Sequence, residues 1–129
     1  MKNNPSHINL IAVDDEAELL MLLSVSLTKK GYNVATCLNG EHLSEAIELK
    51  RPDAIFMDLS MKDLNGADLC KKLKNNKNTA AIPVILLSAN DDLIYISRHC
   101  GASGFVYKPF ETNKVVAELQ RVLSMETGK

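Results

Sequence analysis

The chain has 129 residues, enough for one domain with a substantial core. Hydrophobic residues make up 46% and charged residues 24%, a globular balance that excludes a disordered or low-complexity protein. Fifteen Lys and Arg against sixteen Asp and Glu leave a net charge of −1, so no direct DNA binding and no membrane contact are expected.

Residues 1–7 are polar and lack the apolar stretch of a signal peptide, so they read as an N-terminal extension. Ile8 to Val13 is a short apolar run suited to a strand. Asp14-Asp15-Glu16 follows at once, where carboxylates favour a helix N-terminus. The helix should reach about Lys30, with Gly31 ending it and Leu19, Leu23 and Leu27 facing the core. Leu20, Met21 and Val25 fall elsewhere on the wheel, so this helix is apolar nearly all round. Scattered exposed apolar side chains or a partner surface would both account for that.

Tyr32 to Thr36 reads as an edge-side strand. A second helix should open at Asn39-Gly40 and run through about Lys50 on Leu43, Ala46, Ile47 and Leu49, stopped by Pro52. Ala54 to Met57 carries no charge and looks buried on both faces, as a central parallel strand does; it closes on Asp58. A loop from Leu59 to Gly66 precedes a third helix built on Leu69, Cys70 and Leu73. Ile82 to Leu87 is another buried strand, ending in Ser88-Ala89-Asn90. A fourth helix spans Asp91 to Cys100, and Gly104 to Tyr107 makes a last strand before Lys108-Pro109-Phe110. The fifth helix runs from about Thr112 to Met125, leaving 126–129 as a tail. Strands and helices alternate about five times, which implies a single α/β domain over residues 8–125 with helices on both faces of a parallel sheet. Cys37, Cys70 and Cys100 are odd in number and widely spaced, so they read as free thiols in a reducing cytoplasm and not as a zinc or disulfide framework.

Parallel strands deliver their C-termini to one edge, where ligands of open α/β sheets gather. Here that edge receives Asp14 and Asp15, then Asp58, Ser88 and Lys108. Each has an ordinary explanation alone: acids at a helix start, a turn serine, a strand exit. Together they make a site. Clustered carboxylates repel, and a hard divalent cation relieves the repulsion; Mg²⁺ suits oxygen ligands, with Mn²⁺ as the alternative. A cation and a lysine flanking one aspartate would collect charge on phosphoryl oxygens, and Asp is a competent nucleophile toward phosphorus.

The set Asp14-Asp15, Asp58, Ser88 and Lys108-Pro109 resembles the receiver domain of two-component response regulators. Gly101 to Phe110 is particularly similar to the single-domain, chemotaxis-type members. The resemblance covers Ile8 to Leu123 and implies a flavodoxin-like (βα)5 fold. It implies that Asp58 takes a phosphoryl group from a phosphohistidine on a sensor histidine kinase or a histidine phosphotransfer protein. Asp15 would ligate Mg²⁺ directly and Asp14 through water, alongside Asp58 and the backbone carbonyl of Ser60. Ser88 and Lys108 would hold the phosphoryl group, with a cis Lys108–Pro109 bond. Phe105 would be the switch aromatic, changing a face of the fourth helix, last strand and fifth helix for a downstream protein. Ala89 would grant access to the phosphorus, and Ser60 and Asn90 would tune its lifetime. Leu19, Leu20, Met21, Leu22 and Pro109 would dock the histidine-bearing partner. One departure stands out: Lys62 occupies the place of a customary loop proline.

Two rival chemistries fit less well. A haloacid-dehalogenase-type phosphatase needs a second acid two residues after Asp58, where Ser60 stands. A flavin carrier needs a hydroxyl- and Gly-rich phosphate loop where this chain has Asp14-Asp15-Glu16. The expectation is therefore a signalling phosphoacceptor and not an enzyme, acting as a stand-alone regulator because no effector segment follows Met125. A phosphorelay intermediate and a non-phosphorylated protein-binding receiver remain as alternatives.

Overall fold

The structure, a computed structural model, describes residues 4–61 and 64–127, without the side chains at 64, 126 and 127. Lys62 lies outside the described residues. In chain order the elements are β1 (Asn9–Val13), α1 (Ala17–Lys29), β2 (Asn33–Cys37), α2 (Leu43–Lys50), β3 (Ala54–Asp58), β4 (Ser60–Met61), β5 (Leu64–Asn65), α3 (Gly66–Lys74), β6 (Val84–Ser88), α4 (Leu93–Cys100), β7 (Gly104–Tyr107) and α5 (Thr112–Thr127). Five strands form one parallel sheet in the order β2-β1-β3-β6-β7, while β4 and β5 pair as a small antiparallel ribbon. This is the flavodoxin-like (βα)5 arrangement.

Period-two alternation sends the side chains of the central strands into two separate cores. Leu10, Ala12 and Phe56 pack with Leu20, Leu23 and Leu27 of α1 and Val115, Leu119 and Val122 of α5. Ile11, Val13, Ile55 and Met57 pack on the other face with α2, α3 and α4. Both faces being covered explains why β3 and β6 are buried at every position and apolar up to their last residues, Asp58 and Ser88.

Several boundaries differ from the sequence reading, each for a local reason. Helix α1 starts at Ala17, after the Asp14 carboxylate has accepted the Glu16 N–H. Its core stripe is Leu20, Leu23 and Leu27, packed on β1, β3 and α5, while Leu19 is only half-buried. Leu20, placed with the partner-docking residues by its neighbours in sequence, is 3% exposed and belongs to the core. Helix α2 starts at Leu43 because Asn39 Oδ1 accepts the Glu41 N–H and turns the preceding segment. Leu49, one of the apolar positions read for this helix, is 80% exposed. Strand β6 starts at Val84, after Pro83, which has no N–H for the ladder. Helix α5 continues through Thr127, so the expected tail is helical at its first two positions. At the other end, residues Pro5–His7 form a 3-10 turn, and Asn33 Nδ2 donates to the Ser6 carbonyl at 2.7 Å, tying the extension to β2. Cys37, Cys70 and Cys100 are all free and buried. No helix among the described residues is long and apolar enough to cross a membrane.

Candidate functional site

The C-terminal ends of β1, β3, β6 and β7 meet at one edge, and each contributes a polar residue. Asp58 is the last residue of β3, the middle strand, and is 4% exposed. Asp14 follows β1; its N–H donates to the Cys37 carbonyl at 3.1 Å, which fixes the turn, and it is 3% exposed. Asp15 is half-buried beside it. One carboxylate oxygen from each of Asp14, Asp15 and Asp58 lies within 4.8 Å of the others. Lys108 leaves β7 and reaches back: its ammonium donates to Asp58 Oδ1 at 2.6 Å and to Asp14 Oδ2 at 3.2 Å. Its N–H donates to the Ser88 carbonyl at 2.9 Å, which ties the end of β7 to the end of β6, and the Lys108–Pro109 bond is cis.

The electrostatics follow from burial. Withdrawal from water pushes the Asp58 carboxyl above the usual aspartate value, and the Asp14 charge adds to that. The Lys108 hydrogen bond and charge, and the Ser60 N–H donating to Asp58 Oδ2 at 3.1 Å, offset only part of the rise. Burial pulls the Lys108 ammonium down, but its bonds to Asp58 and Asp14 outweigh this and leave it raised. The site therefore holds more negative charge than Lys108 neutralises. A set of hard carboxylate oxygens in excess over one ammonium fits a divalent cation such as Mg²⁺.

Ser88 closes β6 at 6% exposure, and its hydroxyl accepts the Asn90 N–H at 3.0 Å. Ala89 and Asn90 are exposed beside it, as is Ser60 beside Asp58. Phe105 is half-buried in β7, packed on the core under α4, with its ring edge-on to Tyr107 at 5.8 Å between centroids. A groove of about 500 Å³ opens next to Lys108, lined by Leu19 and Leu22 of α1 together with Ala89, Pro109 and Phe110. Met21 and Leu22 are exposed at 67% and 64%. The structure thus brings Leu19, Leu22, Ala89 and Pro109 to one groove, leaves Met21 on the outer surface, and removes Leu20 to the core.

Comparison with known proteins decides the family. Residues 10–120 match the family described as response regulator receiver domain. The chain belongs to that family. This receiver is 31% identical over 116 residues to the alkaline phosphatase synthesis transcriptional regulatory protein PhoP of Bacillus subtilis, covering 88% of this chain and 48% of that protein. It spans about half the length of the curated relatives it matches. Among solved structures, it superposes on the chemotaxis protein CheY4 of Vibrio cholerae with a TM-score of 0.82 at 26% identity, covering 89% of this chain and 98% of the other. The signal receiver domain of a signal transduction histidine kinase from Syntrophus aciditrophicus gives a TM-score of 0.80 at 30% identity, covering 91% and 90%.

Two features of this receiver escaped sequence reasoning. Glu16 Oε1 stands 3.9 Å from the Lys108 ammonium, a third carboxylate around it; its position directly after the acid pair was the available signal. Glu118 of α5 accepts the Phe105 N–H at 3.0 Å and pairs with Arg121, which donates to the Ser103 carbonyl. A contact across thirteen residues between a helix and an edge strand leaves no trace in periodicity.

Proposed function

We propose that this receiver is a phosphoacceptor switch in which Asp58 takes a phosphoryl group from a phosphohistidine on a sensor histidine kinase or a histidine phosphotransfer protein. An Asp58 carboxylate oxygen forms a bond to phosphorus as the phosphorus–nitrogen bond breaks, and the electron pair leaves with the imidazole. Later attack of water on the acyl phosphate returns the carboxylate and inorganic phosphate. The observation that carries the reading is the Lys108 ammonium lying 2.6 Å from Asp58 within a cluster of three carboxylates.

Asp14, Asp15 and Asp58, with the carbonyl of Ser60, would hold Mg²⁺ or, in its place, Mn²⁺. When bound, the cation draws charge from the phosphoryl oxygens and compensates the acids. Lys108 exchanges its Asp58 contact for a phosphoryl oxygen, and Ser88 turns its hydroxyl toward another. The space Ser88 leaves lets Phe105 turn inward, altering the face of α4, β7 and α5 for a protein target. Ala89 is small enough to admit a donor, and Ser60 and Asn90 border the phosphorus and set its lifetime. Leu19, Met21, Leu22 and Pro109 receive the histidine-bearing partner in and beside the groove next to Lys108.

We place the protein in the cytoplasm, as a signalling module whose chemistry is confined to its own phosphorylation and dephosphorylation. Its output is assigned to protein contact and not to direct DNA binding on the ground of charge, since a net charge of −1 supplies no basic surface for a phosphate backbone. A relay role, passing the phosphoryl group onward to a phosphotransfer histidine, is the second reading that the same acceptor chemistry allows. Mass spectrometry after exposure to acetyl phosphate and Mg²⁺ tests the central claim. A Mg²⁺-dependent adduct at Asp58, absent in Asp58→Asn, is expected; its absence from the native protein overturns the reading.

A further inference from the structure

The two edges of the sheet are finished differently. At the β7 edge, α5 meets the outward main-chain groups: Glu118 Oε2 accepts the Phe105 N–H at 3.0 Å, and Arg121 Nη2 donates to the Ser103 carbonyl at 3.1 Å. The opposite edge is β2. Its ladder to β1 is fixed at both ends, by the Asn33 N–H donating to the Ile8 carbonyl and the Asp14 N–H donating to the Cys37 carbonyl. Parallel pairing then aims Asn33, Ala35 and Cys37 at β1 and turns the N–H and C=O of Val34 and Thr36 outward. Among the described residues, no side chain closes those groups as Glu118 and Arg121 close β7.

The strand also lacks the usual safeguards of an open edge. Asn33-Val34-Ala35-Thr36-Cys37 contains no charge and no proline, and its register with β1 runs without a bulge. Beside it, the 80% exposed Leu49 lines a surface groove of about 280 Å³ with Val34 and Ala35. Leu38, just past the strand, is 53% exposed.

We propose that two copies of this chain associate by antiparallel pairing of β2 with β2, extending the sheet across a two-fold axis at Ala35. A second copy is the occupant because the strand complements itself when reversed. With Ala35 opposite Ala35, Val34 of one copy faces Thr36 of the other. Both present N–H and C=O outward, so each such pair exchanges two hydrogen bonds. The uncharged strand sets no like charges against each other. The axis is normal to the sheet, so α2 of each copy lies on the same side, and Leu49 gains cover at the junction. This surface is separate from the acidic cluster and does not depend on the phosphoacceptor reading.

Analytical ultracentrifugation of the full chain over a dilution series is expected to show a monomer–dimer equilibrium, with amide exchange at Val34 and Thr36 slowing as concentration rises. Leu49→Glu, at an exposed position, should weaken the dimer at least tenfold, as should Thr36→Pro, which removes an outward N–H. Tyr107→Glu, on the opposite edge strand, should leave it intact. Oxidation by diamide should join Ala35→Cys into an interchain disulfide, while the native chain, with its three buried cysteines, should not cross-link. If Thr36→Pro fails to fold, Leu49→Glu and Ala35→Cys decide the matter. A monomer at every concentration, as expected if only a foreign strand completes this edge, overturns the proposal. So does a dimer lost on Tyr107→Glu and kept on Leu49→Glu, or Ala35→Cys that never cross-links.

Discussion

The Lys108 ammonium sits 2.6 Å from Asp58 Oδ1, an ion pair whose two side chains are only 15% and 6% exposed. Breaking such a pair from the cationic side leaves buried carboxylates without their counter-ion, which costs about 3–5 kcal/mol. Lys108→Met should therefore lower the melting temperature sharply in a divalent-free buffer. Mg²⁺ should recover more stability in this variant than in the native protein, because cation binding then relieves the greater carboxylate repulsion. Thermal denaturation followed by circular dichroism, with and without Mg²⁺, reads both effects. Equal gains from Mg²⁺ in the two proteins would show that Lys108 does not neutralise the cluster.

Asp58 leads to the opposite expectation for its own removal. Burial raises its carboxyl above the ordinary aspartate value, so the folded protein disfavours the charged form more than the unfolded chain does. The sign follows: as pH rises from the ordinary value through the raised one, Asp58 ionisation takes stability away from the fold. Asp58→Asn should thus melt higher than the native protein at pH 7 without divalent cations. The difference should shrink as pH falls and vanish below about 3, where the carboxyl is protonated in both folded and unfolded states. It should also shrink when Mg²⁺ is added. Melting curves across that pH range check the claim.

The elements that read clearly in the sequence are those set by local chemistry. The five strands and five helices follow from short apolar runs alternating with amphipathic ones, and Asp14, Asp15, Asp58, Ser88 and Lys108 were placed by topology because parallel strands end at one edge. Leu20 was misplaced because α1 is apolar nearly all round. Its buried stripe is set by packing against β1, β3 and α5, which the helix's own sequence does not show. Leu49, read with the apolar positions of α2, faces solvent because the short helix packs through Leu43 and Ile47, with Ala46 half-buried beside them. The Glu118 tether to Phe105 was invisible, since it depends on how α5 lies across the edge of the sheet.

Gly66 supports the acceptor strand from behind. It opens α3, its N–H donates to the Leu59 carbonyl at 2.8 Å, and a Cβ placed there would collide with the Asp58 carbonyl and come within 2.8 Å of Leu59 Cα. These are backbone atoms, which cannot swing aside as a flexible side chain would. Gly66→Ala should cost about 3 kcal/mol or more, the upper end of overpacking penalties. The displaced strand end should also slow acetyl phosphate labelling at Asp58. Denaturant unfolding and labelling kinetics would together show both losses; a neutral effect on both would mean the segment has room to move.

Glu118 supplies an acid-side prediction. The Arg121 hydrogen bond lowers its carboxyl below the ordinary glutamate value against the opposing effect of burial, and the Phe105 N–H helps. A depressed carboxyl contributes stability that is present above the unfolded value and lost as pH falls through the folded one. Glu118→Gln should cost about 1–2 kcal/mol at pH 7, on the scale of a hydrogen bond to a charged group. The gap between native and variant should close on acidification below about pH 4. Urea unfolding at several pH values measures it, and a gap independent of pH would assign the loss to packing.

The face of α1 separates partner recognition from acceptor chemistry. Met21 and Leu22 are exposed by about two-thirds, and Leu22 shares the groove beside Lys108 with Leu19 and Pro109. Exposed apolar groups grouped next to a buried acceptor are suited to a protein donor and irrelevant to a small one. Leu22→Asp should therefore slow phosphoryl transfer from a phosphohistidine-bearing kinase domain by tenfold or more, and Met21→Asp by less. Neither should change labelling by acetyl phosphate or the melting temperature appreciably. Leu20→Asp, by contrast, places a charge among Leu23, Leu27 and the α5 core and should unfold the protein. Parallel kinetics with the two donors distinguish the cases: equal slowing of both by Leu22→Asp would mean that the substitution disturbs Lys108 across the groove and that the kinase docks elsewhere.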